Sequence, residues 1–259
     1  MRQLALIAVL ALSSISARAD EWSHTYPVTG KPAVVVDAND GDVEVLVGSS
    51  QQVDVRVITR GWKIKDDVQV TGNQSGNHVE IKLRKTSHVC FGVCFQSLRV
   101  EVRVPRESDL NIHTDDGNVR VENVTGNLQF ETGDGDVRLR DVEGSLHADT
   151  HDGNVDVNGR FDVLNLHTGD GNIDAEVSAA SAPQSGWMLR SGDGNIRLRL
   201  PDNLGADLDA HSGDGAVHVG FPVSASSTGN ENSMRGKING GGISIQLRTG
   251  DGDIKVEKI

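Results

Sequence analysis

A six-residue phrase recurs along this chain and constrains its fold more than any other feature. The phrase is Thr-Gly-Asp-Gly-Asn-Val or a close variant, and in every copy the third residue is Asp and the fourth is Gly. The copies begin at Thr114, Thr132, Thr150, Thr168, Ser191, Ser212 and Thr249. The first three steps are 18 residues each, and the later steps are 23, 21 and 37 residues. A repeat this short predicts an architecture of like units with loops inserted between some of them.

Apolar and polar residues alternate on both sides of the phrase. The residues four and two places before the Thr or Ser are mostly apolar, as Leu164 and Leu166 are before Thr168. A second apolar pair follows two and four places after the second Gly, as Ile173 and Ala175 do. Period-two alternation predicts strands with one buried side and one solvent-facing side. Each unit is therefore expected to be a strand, a corner and a second strand.

Two arrangements of these units fit the pattern. The buried positions before and after the corner differ in parity, as expected if the corner carries the chain from one sheet to another. We therefore predict an all-β fold in which equivalent units stack in parallel as rungs of a β-solenoid, about 4.8 Å apart. A twisted antiparallel sandwich of hairpins is the alternative. Stacking would place Thr over Thr at an inner corner, where the hydroxyls can satisfy turn amides.

The residues of the phrase predict a structural corner. Its glycines suit backbone angles that are closed to residues with a Cβ, and its Asp and Asn suit turn geometry. Two copies exemplify the corner motif: Thr132, Gly133, Asp134 and Gly135, and Thr168, Gly169, Asp170 and Gly171.

The segments before the regular repeats predict an export signal and a cap. Residues 1–19 combine Arg2, an apolar run and an Ala-x-Ala site ending at Ala19, which is typical of a signal peptide. Residues 20–259 are predicted to form one β-repeat domain. Within it, residues 34–45 resemble a degenerate first copy, and residues 53–105 lack the phrase and predict a capping antiparallel meander.

The C-terminal part carries the longest insertion and the last copy of the phrase. Residues 222–242 are rich in Ser, Asn and Gly and predict a flexible surface loop. The chain ends on the copy that begins at Thr249. Lys255 and Lys258 in this copy are expected to protect an open edge of the stack.

Cys90 and Cys94 are the two cysteines of the chain, and they lie in the predicted cap. In an exported protein a disulfide that closes a tight loop is the expected state. A redox pair or a metal site is the alternative. The Cys-x3-Cys spacing argues against both, since such motifs use Cys-x2-Cys.

The Asp-Gly corners make calcium a hypothesis. In a stack, a column of carboxylates would form from Asp116, Asp134, Asp152 and Asp170. Neighbouring charges would repel by about 1 kcal/mol even in water, and a divalent cation would relieve this. The calcium-binding nonapeptide and the EF-hand loop are not matched. The favoured interpretation is that each Asp caps amides of its own turn, with calcium as the alternative.

No catalytic residue is predicted. The chain has no nucleophile elbow, HExxH, P-loop or dinucleotide fingerprint. His113, His167 and His211 share the outward position before the Thr or Ser, but other copies have Glu, Asp or Arg there. We therefore interpret these histidines as surface residues and not as metal ligands.

Charge and hydropathy narrow the expected partners. The formal net charge is −12, which makes nucleic acid and anionic lipid poor partners. The apolar run of the signal is too short to span a bilayer, and no other segment reaches the length of a membrane span, so no integral membrane segment is expected. The expected location is the periplasm, the cell surface or the medium. The expected partner is an envelope or extracellular protein or glycan.

The repeated Thr-Gly-Asp-Gly-Asn/Asp-Val/Ile phrases, the Leu-x-Leu pair before each corner and the export signal resemble the bacterial DUF4097 family. Its members are described as exported, adhesin-like proteins with β-strand repeats. The resemblance covers about residues 33–259 and implies an extracytoplasmic β-repeat protein, with no catalytic residues to carry over. Residues 53–105, with their Cys pair, depart from the regular repeat.

Two functions are compatible with this pattern. The first is a non-enzymatic, exported β-solenoid whose polar faces act as a binding or scaffolding surface in the cell envelope. The alternative is a carbohydrate-active or other envelope-processing enzyme built on the same coil. Aromatic residues make up 3% of the chain, which argues against sugar cleavage in an aromatic-lined groove.

Overall fold

A computed structural model describes residues 19–86, 96–181, 183, 185–227 and 231–259, and every regular element in them is a β-strand. The predicted disulfide between Cys90 and Cys94 and residues 1–18 of the predicted signal lie outside the described residues. The strands of the N-terminal half are β1 (Ala19–Pro27), β2 (Ala33–Asp37), β3 (Asp42–Val47), β4 (Gln52–Arg60), β5 (Val68–Ser75), β6 (His78–Lys85), β7 (Ser97–Val104), β8 (Asp109–Thr114), β9 (Val119–Glu122) and β10 (Thr125–Thr132). Those that follow are β11 (Val137–Thr150), β12 (Val155–Thr168), β13 (Ile173–Val177), β14 (Trp187–Ser191), β15 (Ile196–Leu200), β16 (Ala206–Ser212), β17 (Val217–Val219), β18 (Val223–Ser227), β19 (Ser233–Ile238), β20 (Ile243–Thr249) and β21 (Ile254–Lys258).

The strands form two hydrogen-bonded ladders joined at the corners. The first sheet holds the strands that precede each corner, in the order β5, β6, β2, β8, β10, β11, β12, β14, β20, β16, β19 and β18. The second sheet holds those that follow it, in the order β1, β4, β7, β3, β9, β11, β12, β13, β15, β21 and β17. The long strands β11 and β12 contribute their N-terminal parts to the second sheet and their C-terminal parts to the first.

Equivalent residues of successive units lie directly above one another. Thr132 pairs with Thr114 on one side and with Thr150 on the other, and Thr150 pairs with Thr168. The phrase-bearing strands pair in parallel, which confirms the predicted solenoid and excludes the hairpin sandwich. The apolar pairs of all units share one continuous buried core, whose largest fully buried side chain is Trp187.

The order of the rungs in the stack differs from their order in the sequence. The last copy, β20 and β21, lies between the rung of β14 and β15 and the rung of β16 and β17. The C-terminal strand is therefore paired on both sides. The expectation that Lys255 and Lys258 protect an open edge is wrong, because β21 is an inner strand.

A β-hairpin replaces the flexible loop that was expected over residues 222–242. β18 and β19 pair antiparallel, and β19 adds antiparallel to β16 at the edge of the first sheet. The chain then crosses the start of β16 to enter on its other side as β20. This crossing uses Asn239, Gly240 and Gly241, which have φ values of 50°, 85° and 94°. Left-handed φ values are accessible to Gly and Asn at little cost, which explains this composition.

The other end of the stack combines antiparallel and parallel pairs. β4 pairs antiparallel with β7 and with β1, and β5 pairs antiparallel with β6. In addition, β6 and β7 continue the parallel stack on β2 and β3. They therefore act as one further rung, and the segment between them lies outside the described residues. None of the described residues forms a helix that is long and apolar enough to span a membrane.

Candidate functional site

A column of buried hydroxyl groups runs along the inner corner. Thr168 Oγ1 donates to the carbonyl of Gly153 one rung below at 2.8 Å and accepts from the amide of Gly171 in its own corner at 3.1 Å. Thr150 makes the same two contacts, with Gly135 at 3.0 Å and Gly153 at 3.2 Å. The hydroxyls thus satisfy buried backbone groups that the turn would otherwise leave unpaired.

The corner glycines are required by close packing of the rungs and not by their backbone angles. None of the corner glycines has φ in the left-handed region, contrary to the expectation from sequence. A Cβ on Gly153 would lie 1.9 Å from the carbonyl oxygen of Gly135. At the second position of the phrase the corresponding distance is 2.5 Å for Gly133, and Asp115 and His151 occupy this position in other copies. The fourth position is therefore the more restrictive one.

The fifth residue of the phrase forms a second ladder, which sequence reasoning missed. Asn172 Oδ1 accepts from the backbone amide of Asn195 at 2.9 Å and from its side-chain amide at 3.1 Å. Asn172 in turn donates both groups to Asn154 Oδ1. The ladder extends through equivalent residues from Asp42 to Ala216: Asp42, Asn118, Asp136, Asn154, Asn172, Asn195, Asp253 and Ala216. The signal in the sequence was the near-constant Asn or Asp at this place.

Asp136 is the ladder residue whose ionisation is perturbed. Partial burial acts to raise the pKa of Asp136, but hydrogen bonds from Asn154 and the charge of Arg138 outweigh it, and the pKa lies below its ordinary value. Arg138 approaches this carboxylate to 2.5 Å. The hydrogen bonds of the ladder and the charge of Arg138 therefore favour the ionised form of Asp136 at this rung.

The third-position carboxylates lie on the surface. Asp116, Asp134, Asp152 and Asp170 are all exposed. None of these four side chains makes a hydrogen bond to a turn amide, so the interpretation that each caps its own turn is wrong. Backbone carbonyls of the rung below accept from the turn amides instead, as His151 does from Asp170 at 3.0 Å. Among the described residues, no three His, Cys, Asp or Glu side chains form a set that could hold a metal ion.

Two of the histidines before the corners lie beside acids. His167 Nδ1 lies 3.2 Å from Asp149, and His113 Nδ1 lies 3.6 Å from Glu131. Arg248 occupies the same position beside His211. The three histidines are therefore not brought together.

The outer face of the first sheet has a hollow with unpaired polar side chains. Asn111, Gln129 and His147 lie side by side in strand register and line this hollow together with Glu131 and Asp149. All three side chains are exposed: Asn111, Gln129 and His147. None of them makes a hydrogen bond to any described residue. Their donors and acceptors are therefore available to a ligand.

One solved structure and one family model support the fold. The chain is similar to the solved structure of a proposed adhesin from Bacteroides fragilis NCTC 9343. The similarity covers 92% of this chain and 97% of that chain, with 13% sequence identity and a TM-score of 0.50. A proposed cell adhesion protein from Clostridium sporogenes ATCC 15579 is 16% identical, with 92% and 100% coverage and a TM-score of 0.38. A search of the curated proteins found no match. The family model Toastrack DUF4097 matches residues 33–183 and 144–257, and the chain therefore belongs to this family.

Proposed function

We propose that this chain is a non-enzymatic, exported protein of the cell envelope whose outer faces form an adhesin-like binding or scaffolding surface. The observation that carries the proposal is the row of Asn111, Gln129 and His147, whose hydrogen-bonding groups are unpaired and exposed. Parallel rungs repeat such groups about every 4.8 Å, which suits an extended ligand with repeated polar groups. The ligand we propose is an envelope or extracellular glycan or protein.

The description of the structurally similar Bacteroides fragilis protein as a proposed adhesin supports a binding role without catalysis. The composition of residues 1–19 supports export. A location in the periplasm or at the cell surface follows from the proposed export.

A binding screen tests this proposal. The mature chain is assayed against purified envelope glycans and extracted envelope proteins, beside the variant Gln129→Ala/His147→Ala. We expect saturable binding without product, weakened at least tenfold in this variant. The matched control, Gln69→Ala/His218→Ala, removes an exposed Gln and an exposed His outside this row and is expected to bind like the wild type. Turnover of a glycan that is abolished by one carboxylate substitution would instead establish the enzyme alternative.

A further inference from the structure

The central outward column of the second sheet carries its charges in like pairs. Along the stack, two acids are followed by two bases, two acids and two bases. Each residue of this column is directly opposite the next in the strand register: Glu101, Glu44, Arg120, Arg138, Asp156, Asp174, Arg197 and Lys255. All eight are half-exposed or exposed.

This order of charges is electrostatically unfavourable within a single chain. Like charges that are directly opposite on neighbouring strands destabilise a sheet, and Arg120 faces Arg138 in this way. Strict alternation of acids and bases would avoid the repulsion. Among the described residues, Glu44, Arg120 and Lys255 form no ion pair. Their charges are therefore available to groups outside the chain.

When the column is read in the opposite direction, the sign of the charge is opposite at each position. A twofold axis parallel to the strands, lying between two copies placed face to face, reverses the order of rungs and keeps each column opposite itself. Acids then face bases at all eight positions. In particular, Arg120 faces Asp174 of the second copy, and Arg138 faces Asp156 of the second copy. Isologous contacts of this kind generate closed dimers.

The flanking columns bring opposite charges together at the two ends of the stack. The outward residues of β7 are Arg99, Glu101 and Arg103, and they meet those of β21, which have the opposite sign at each place: Asp253, Lys255 and Glu257. β3 presents Asp42, Glu44 and Leu46 to Asn195, Arg197 and Arg199 of β15, and opposite charges meet there only at Glu44 and Arg197. The pairing of Glu122 with Glu176 is a like-charge exception among these contacts.

We propose that the outer face of the second sheet, from β7 to β21, is the interface of an antiparallel homodimer. Eight strands about 4.8 Å apart, with three outward residues each about 6.8 Å apart, cover about 800 Å². A stable complex typically buries about 800 Å² per partner. Because the contacts are charged, the association is steered by electrostatics and weakens with salt.

Charge exchange tests both the interface and its alignment. Sedimentation velocity at low ionic strength should detect a dimer of the wild type, and the dissociation constant should rise at least tenfold in 0.5 M salt. Arg120→Asp should also raise it at least tenfold, since it places an acid opposite Asp174. The exchange Arg120→Asp/Asp174→Arg should restore the affinity to within about threefold of the wild type, because every pair is again opposite in sign.

The matched control is Arg138→Asp/Asp174→Arg, which has the same composition and net charge. In the proposed alignment it leaves an acid opposite Asp156 and a base opposite Arg120, so it should not restore association. Circular dichroism and thermal melting establish that all variants are folded. A monomeric wild type at low salt, or equal affinity of the two exchange variants, would overturn the proposal.

Discussion

Thr168 and Gly153 are joined across two rungs by a buried hydrogen bond, in which the hydroxyl of Thr168 donates to the carbonyl of Gly153 at 2.8 Å. Thr168 is fully buried, and its oxygen also accepts from Gly171. One side chain therefore closes its own corner and fastens the corner to its neighbour. The solenoid depends on the repetition of this contact along the stack.

Replacing the Thr168 hydroxyl by a methyl group should destabilise the fold. Thr168→Val leaves the Gly171 amide and the Gly153 carbonyl without a partner, which should lower the free energy of unfolding by about 2 kcal/mol. Thr168→Ser should cost less, because Ser191 makes the same contacts in its rung. Urea denaturation measures both. Thr71→Val, at an exposed Thr of β5, is the matched control, and an equal loss at both sites would refute the role of the hydroxyl.

A methyl group at the corner glycine should be tolerated poorly. Gly153→Ala places its Cβ 1.9 Å from the Gly135 carbonyl oxygen, so the rungs must separate, and we expect a loss of about 3 kcal/mol or more. Gly76→Ala is the comparison, since φ is 59° there but no atom lies within 4 Å of the added Cβ. It should cost only about 1 kcal/mol. The midpoints of thermal melting distinguish the two effects.

The fifth-position ladder should depend on its acceptor oxygen. Asn172→Ala removes the acceptor for both amides of Asn195 and should lower the stability by about 1 to 2 kcal/mol. Asn172→Asp keeps the acceptor and should lose less. Chemical denaturation of the two variants is the measurement, and equal stability of the Ala and Asp variants would contradict the ladder.

Asp136 should contribute to stability only while it is ionised. Since its folded-state pKa is lowered from 3.8, the contribution is complete above this value and is lost as the pH falls through the lower folded-state pKa. Asp136→Asn keeps an acceptor oxygen but does not titrate. The stability difference between wild type and variant should therefore shrink when melting is measured at progressively lower pH below 3.8. A difference that is constant down to strong acid would contradict this assignment.

Calcium should not alter the melting temperature. Calcium takes six to eight oxygen ligands, whereas Asp116, Asp134, Asp152 and Asp170 provide one exposed carboxylate in each rung. We expect equal melting temperatures in EDTA and in millimolar calcium. A rise in calcium that Asp134→Asn/Asp152→Asn removes would instead establish the carboxylate column as a calcium site.

The buried positions could be predicted from sequence because side chains alternate with a period of two in every strand. Leu164 and Leu166 are buried as expected, and the Thr column lies at the inner corner. The roles of Gly153 and Asn172 could not be predicted in the same way. Both roles depend on atoms of neighbouring rungs, and the local geometry of one turn contains no information about the distance to the next.

The sequence by itself determined the repeating unit, its buried face and the residues that form the corner. Only the tertiary structure decided the order of the rungs, in which the copy at Thr249 enters between those at Ser191 and Ser212. The physical reason is that all units present nearly the same apolar pairs and the same backbone ladder, so the repeat favours stacking but does not select neighbours. That choice depends on the β18–β19 hairpin and on the glycine-rich crossing at Gly240 and Gly241, whose effect appears only when the chain is folded.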